Sequence, residues 1–233
     1  MGIYNIAGIK VSMSPRYETL IQQSEPYKTN EKHFDFEIQI SDKHIYALQK
    51  ENPHLSAADC EYILAGGIFY RRCVAYNSFL LHASAIMVDG KAYVFSAPSG
   101  TGKSTHTALW LKTFPSATYI NDDKPLLQYR NGIMYACGTP FSGKTDLNRN
   151  GAAPVEAVCI LSRAKETYVQ RISAGEALHP LLEQTIRDGF DMACLLSLVE
   201  KLVTDVPIYK VFCTLDSDAA LKVWQGIHNR EDD

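Results

Sequence analysis

The stretch "SAPSGTGKSTHTALW", residues 96–110, decides how this chain is read. Residues Ala97 to Ser104 follow the phosphate-binding pattern G-x-x-x-x-G-K-[ST], with Ala97 standing where the first glycine is usual. The apolar run "AYVF" before it reads as a strand and "THTALWLK" after it as a helix, which is the context the pattern needs. Gly100 and Gly102 permit backbone conformations that point successive N–H groups, from Ser99 through Thr101 to Thr105, at phosphate oxygens. Lys103 supplies a point charge for the outer phosphates and Ser104 a hydroxyl for Mg²⁺, while the helix aims the positive end of its dipole at the same place. A glycine-rich turn that binds nothing is the alternative, and the joint match of pattern and context outweighs it.

Working outward, "FLLHASAIMV" and "KAYVFSA" flank Asp89-Gly90, a favoured two-residue hairpin connection. Pairing at constant index sum then sets His82 opposite Ala97, beside the phosphate loop. A lone histidine in an apolar strand is usually structural. This register makes His82 a candidate for a catalytic or substrate-orienting role. After the helix, "ATYI" reads as a short strand ending in Asn121, Asp122 and Asp123. The carboxyl ends of strands in an open α/β sheet converge on the ligand crevice, so these acids are expected near the phosphates. One can hold Mg²⁺ and the other accept a proton from an attacking hydroxyl, and adjacent positions in a strand would point them to opposite sides. The same residues also make good turn chemistry.

A second hairpin, "PLLQYR" with "IMYACG" across Asn131-Gly132, sets Thr139 and Pro140 near Lys124 and Asp123 by the same rule. The polar loop 141–153 therefore leaves from the edge of the site. It carries Lys144 and Arg149, and Arg149 could clamp a transferring phosphoryl group; a solvated surface loop is the competing reading. Downstream come the strand "VEAVCILS", helical stretches around 174–187 and 191–203, the strand "IYKVFCTL" and the helix "SDAALKVWQGI". Upstream, residues 56–76 read as a helix with a weak middle at Gly66-Gly67, and residues 3–40 as a small antiparallel β piece. The expected architecture is α/β: a β-rich segment over residues 1–55 packed on a P-loop domain over 56–233.

Composition supports a folded chain, with 46% hydrophobic residues over 233 positions. The net charge of -3, from 23 basic and 26 acidic residues with no basic run, argues against nucleic acid or an anionic membrane surface as partner. Six cysteines in apolar runs, without metal-ligand spacing, read as buried free thiols. No stretch has the length of a membrane span and the N-terminus has no signal-peptide pattern, so a cytoplasmic location is expected. His106, Trp110 and Trp224 read as packing residues.

"LLHASAIMVDGKAYVFSAPSGTGKST", "INDDKPLL" and "TPFSGKTDLNRNGAAPVEAVCIL" together resemble the catalytic domain of HPr kinase/phosphorylase and its smaller relatives. Those proteins share a mixed-sheet P-loop core with ATP-dependent phosphoenolpyruvate carboxykinase, and the resemblance covers about residues 78–215. It implies ATP and Mg²⁺ as cofactors and transfer of the γ-phosphoryl group to a hydroxyl acceptor, on a protein, a peptide or a small molecule. It further implies Asp122 as proton acceptor, Asp123 with Ser104 as the Mg²⁺ site, His82 as the site histidine and Arg149 in the phosphoryl-transfer loop. The segment before residue 78 does not match the family's N-terminal domain, and the phosphorylase-associated signature is not evident, so the smaller kinases linked to modified peptides match better than those acting on HPr. An NTPase, a carboxykinase-like enzyme and a nucleotide-binding regulator without transfer are the rival readings. The sequence is also compatible with a homo-oligomer.

Overall fold

The computed structural model describes residues 1–143, 145–185 and 191–229. Its elements in chain order are β1 (Gly2–Ile6), β2 (Ile9–Met13), α1 (Glu18–Ser24), β3 (Lys28–Thr29), β4 (Phe36–Ile38), α2 (Asp42–Glu51), α3 (Ala57–Cys73), β5 (Ser78–Leu80) and β6 (Ala83–Val88). They continue with β7 (Lys91–Ser96), α4 (Lys103–Thr113), β8 (Thr118–Asn121), β9 (Leu126–Arg130), β10 (Ile133–Cys137) and β11 (Ala152–Arg163). The last are β12 (Tyr168–Ile172), α5 (Ala174–Glu183), α6 (Met192–Asp205), β13 (Ile208–Cys213) and α7 (Ala219–His228).

Both faces of β7 are covered, which is why its sequence lacks a polar alternation. Ala92 and Val94 join a cluster with Leu181 of α5 and Leu198 and Leu202 of α6, whereas Tyr93 and Phe95 face Trp110 of α4 and Val223 of α7. The mixed sheet runs β12-β13-β11-β7-β6-β8, with β7, β11 and β13 parallel and β6 antiparallel to both β7 and β8. A second run, β5-β9-β10-β11, is antiparallel and shares β11 with the first. A register shift between Val155 and Ala157 in the β7 pairing falls where the other edge of β11 passes from β10, over 152–154, to β13, over 158–163.

The N-terminal sheet has the order β3-β1-β2-β4. It is not wholly antiparallel as expected, because β4 lies parallel to β2. The intervening chain holds α1 and β3, long enough to cross over and return in the same direction. Helix α3 runs through Gly66-Gly67 without a break, started by a Ser56/Asp59 capping box. Gly66 is there for packing: a Cβ on it would sit 3.1 Å from the Phe141 ring. Around that contact, Phe69, Tyr70 and Phe141 join Ile6, Val11 and Tyr27 in one buried cluster.

The helix expected over 174–187 ends at Glu183, and residues 186–187 lie outside the described residues. All six cysteines are free, four of them buried. No helix among the described residues is long and apolar enough to cross a membrane.

Candidate active site

Strand β7 ends at Ser96 and α4 begins at Lys103, so the glycine-containing stretch 97–102 occupies the turn between them. Gly100 and Gly102 take positive φ, +78° and +116°, with open space where a Cβ would stand. Backbone conformation, not crowding, demands glycine there. Lys103 folds back over the loop and its Nζ donates to Ala97 O at 2.9 Å. Burial lowers its pKa, and the nearby charges of Asp123 and Asp122 oppose that shift. From the far side Arg163, at the end of β11, donates to Gly100 O at 2.6 Å and Thr101 O at 3.1 Å. Because the peptide is trans, drawing the Thr101 carbonyl outward turns the N–H of Gly102 the opposite way.

The long strand expected over 79–88 is broken. β5 stops at Leu80 and β6 starts at Ala83, with Leu81 and His82 between them. Pairing follows the expected index sum, Val88 with Lys91 through Ala83 with Ser96, and Ser96 Oγ donates to His82 O at 3.2 Å. His82 therefore sits beside the loop as the register required. Its Nδ1 lies 3.0 Å from Gln184 Oε1, and its Nε2 lies 3.3 Å from both Lys103 Nζ and Asp123 Oδ1.

The two aspartates do not point to opposite sides. β8 ends at Asn121, whose Oδ1 accepts from the backbone N–H of Asp123 at 3.0 Å and of Lys124 at 2.7 Å. This Asx turn bends the chain so that both acids line one cleft. Asp122 is 3% exposed; Ser84 Oγ donates to its Oδ1 at 2.6 Å, and its buried Oδ2 has no hydrogen-bond partner. Burial would raise the pKa of Asp123, but the His82 hydrogen bond and the Lys124 ammonium, 2.5 Å from Oδ2, hold it down at about 2.

The cleft has a volume of about 710 Å³. Ser99, Ser104, Asp122 and Asp123 form one side, and Leu55, Tyr62 and Ile63 stand on the wall built by the start of α3. Ser142, Gly143, Thr145 and Asp146 close a third side. Thr105 is exposed on the first turn of α4 and does not line the cleft, and Lys144 lies outside the described residues.

Arg149 is not brought to the cleft. Asn148 bridges Asn121 in antiparallel sense and the Arg149 N–H donates to Ile120 O, so the loop runs back along β8. The Arg149 guanidinium then reaches Thr118 Oγ1 at 3.1 Å, at the other end of that strand from the acids.

Sequence reasoning passed over Ser84, Gln184, Arg163 and the amide clamp at Asn148. Asn148 Nδ2 donates to Gln23 Oε1 at 2.7 Å and Ser142 Oγ at 2.9 Å, and Asn148 Oδ1 accepts from Tyr27 Oη at 2.8 Å. Knowing that β6 pairs with β8 would have found Ser84, since Ala85 opposite Asn121 sets Ser84 against Asp122.

No protein-family model matches the chain, and no curated protein matches it. Among solved structures it is similar to the Hpr(Ser) kinase/phosphatase from Coxiella burnetii, with a TM-score of 0.39 and 10% identity, over 64% of this chain and 94% of that chain.

Proposed function

We propose that this chain is an ATP-dependent phosphotransferase of the HPr kinase-like P-loop type, moving the γ-phosphoryl group to a hydroxyl on a protein, peptide or small-molecule acceptor. The observation that carries this reading is the unpartnered, buried Oδ2 of Asp122 in the cleft that Ser104 and Asp123 also line.

The residues present fit Mg²⁺ and a nucleoside triphosphate. Among the described residues no group of three His, Cys, Asp or Glu side chains could hold a metal ion. Mg²⁺ bound with a triphosphate takes most of its oxygens from phosphate and water and needs only one or two protein groups, here Asp123 and Ser104. When bound, the cation neutralises charge developing on the phosphate oxygens.

Each side chain then has a separate task. Asp123, kept anionic down to a pKa of about 2, is a weak base and a steady partner for a cation. Asp122 spends one oxygen on Ser84 and keeps the other free to accept the acceptor's hydroxyl proton. Lys103 screens the outer phosphates, and His82 Nε2 donates to Asp123 Oδ1, which holds that carboxylate beside the lysine. The acceptor enters along the wall of Leu55, Tyr62 and Ile63, where burial pushes the Tyr62 phenol up to about 12 and keeps it neutral.

The test is transfer from γ-labelled ATP to components of a cell extract, followed by mass spectrometry, with wild type, Lys103→Ala and Asp122→Asn. An amide oxygen can still accept from Ser84, so Asp122→Asn is expected to bind ATP normally and lose transfer by about a hundredfold or more. A label that appears equally with Lys103→Ala, or undiminished transfer by Asp122→Asn, would overturn the proposal.

A further inference from the structure

A phosphoanhydride chain has one reactive end and one end that carries the nucleoside. In this sheet the two ends have different neighbours. β7, β11 and β13 are parallel, and β8 runs in the same sense because it and β7 are both antiparallel to β6. The carboxyl ends of all four strands therefore share one edge, with the phosphate loop rising from β7. The acid doublet follows β8, on one side of the loop, while β11 ends beside the loop on the other.

On that second side lies a separate groove of about 430 Å³, lined by Pro98, Ser99, Gly100, Thr101, Leu161, Ser162 and Arg163. It meets the catalytic cleft at Ser99, which lines both. Arg163 is exposed, yet its guanidinium is fixed by the bonds to Gly100 O and Thr101 O. A planar cation so held offers a face to an aromatic ring without further loss of side-chain freedom. Two residues beyond β13 on the same edge, Leu215 is 71% exposed and adds apolar surface.

We propose that the nucleoside of the bound triphosphate occupies this groove, with its base against Arg163. The assignment rests on the phosphate-loop reading and adds to it where the nucleoside lies and which residue selects a nucleotide over bare polyphosphate. Arg163 is then a binding residue for the base as well as a brace for the loop.

Titration calorimetry with ATP and with inorganic tripolyphosphate, each with Mg²⁺, separates the two roles. Wild type is expected to bind ATP the more tightly, and Arg163→Ala, which also frees the loop carbonyls, to weaken ATP about tenfold more than it weakens tripolyphosphate. Equal wild-type affinities, or parallel losses for both ligands in Arg163→Ala, would show a brace alone and overturn the nucleoside site. Failure of wild type to bind either ligand would overturn the phosphate-loop reading itself. Photo-crosslinking of wild type with 8-azido-ATP needs no variant: adducts on 98–101 or 161–163 support the assignment, and adducts confined to other segments refute it.

Discussion

Burial alone would raise the pKa of Asp123, yet the His82 hydrogen bond and Lys124 bring it from 3.8 to about 2. A carboxyl group that is more acidic folded than unfolded stabilises the fold above its unfolded pKa, and that contribution disappears as pH falls through the folded value. For Asp123 it is on the order of 2 kcal/mol. Urea unfolding of wild type and Asp123→Asn is therefore expected to differ by about that amount at neutral pH, with the gap closing as the pH falls from about 4 towards 2. A gap that stays constant over that range would mean that charge pairing does not hold this carboxylate. Gly143 presses on the same group: at φ +70° a Cβ on it would stand 2.6 Å from Asp123 Oδ2 and 2.9 Å from Asp123 Cβ. Gly143→Ala is expected to displace Asp123 and lower kcat by about tenfold or more, with a stability loss of about 1–2 kcal/mol from backbone strain. The strand, glycine turn and helix around Gly100 and Gly102 were legible because the spacing of the motif is itself the signal. Ser84 and Arg163 were not, since a serine and an arginine gain meaning only from the strands that pair around them.

Among the elements, the hairpins could be read because Asp89-Gly90 and Asn131-Gly132 tolerate the positive φ that tight turns require, observed at +48° and +79° and at +50° and +83°. Their index sums then carried to His82 and to Thr139, whose Oγ1 donates to Lys124 O at 3.2 Å. α1 and β12 lack such punctuation and took their structure from tertiary packing. The loop from Ser142 to Asn150 misled the reading of Arg149 because composition does not say which strand a loop follows. Its geometry comes from Asn148, held by Tyr27, Gln23 and Ser142, while the Asp122 N–H donates to Leu147 O at 3.0 Å. The position of the Asp122-Asp123 doublet thus depends on an amide clamped to the N-terminal segment. Asn148→Ala would leave the Tyr27 hydroxyl buried without its acceptor, a cost of about 1–3 kcal/mol. Steady-state kinetics should show kcat reduced about 10- to 100-fold with ATP affinity unchanged, because the phosphate loop is untouched. Equal losses in both parameters would argue against this positioning role.

At the scale of the whole molecule, the dependence extends to folding. The cluster holding Ile6, Val11, Tyr27 and Phe36 of the N-terminal region also contains Phe69 and Tyr70 of α3, Leu126 of β9 and Phe141 of the segment after β10. Burial of each large apolar side chain contributes about 1.5–3 kcal/mol. Exposing four of them by removing residues 1–55 would cost about 6–12 kcal/mol, as much as the total of about 5–15 kcal/mol that holds a typical domain. The chain over 56–233 is accordingly expected not to fold without the N-terminal segment, and the intact protein to unfold in a single step. Both tryptophans, Trp110 and Trp224, lie in the layer of α4 and α7 and report on the far side of the main sheet. Urea midpoints from tryptophan fluorescence and from proteolytic cleavage within residues 1–55 should therefore coincide. Cleavage of the N-terminal segment at a lower urea concentration, with the fluorescence transition unmoved, would show that the core stands without its cover.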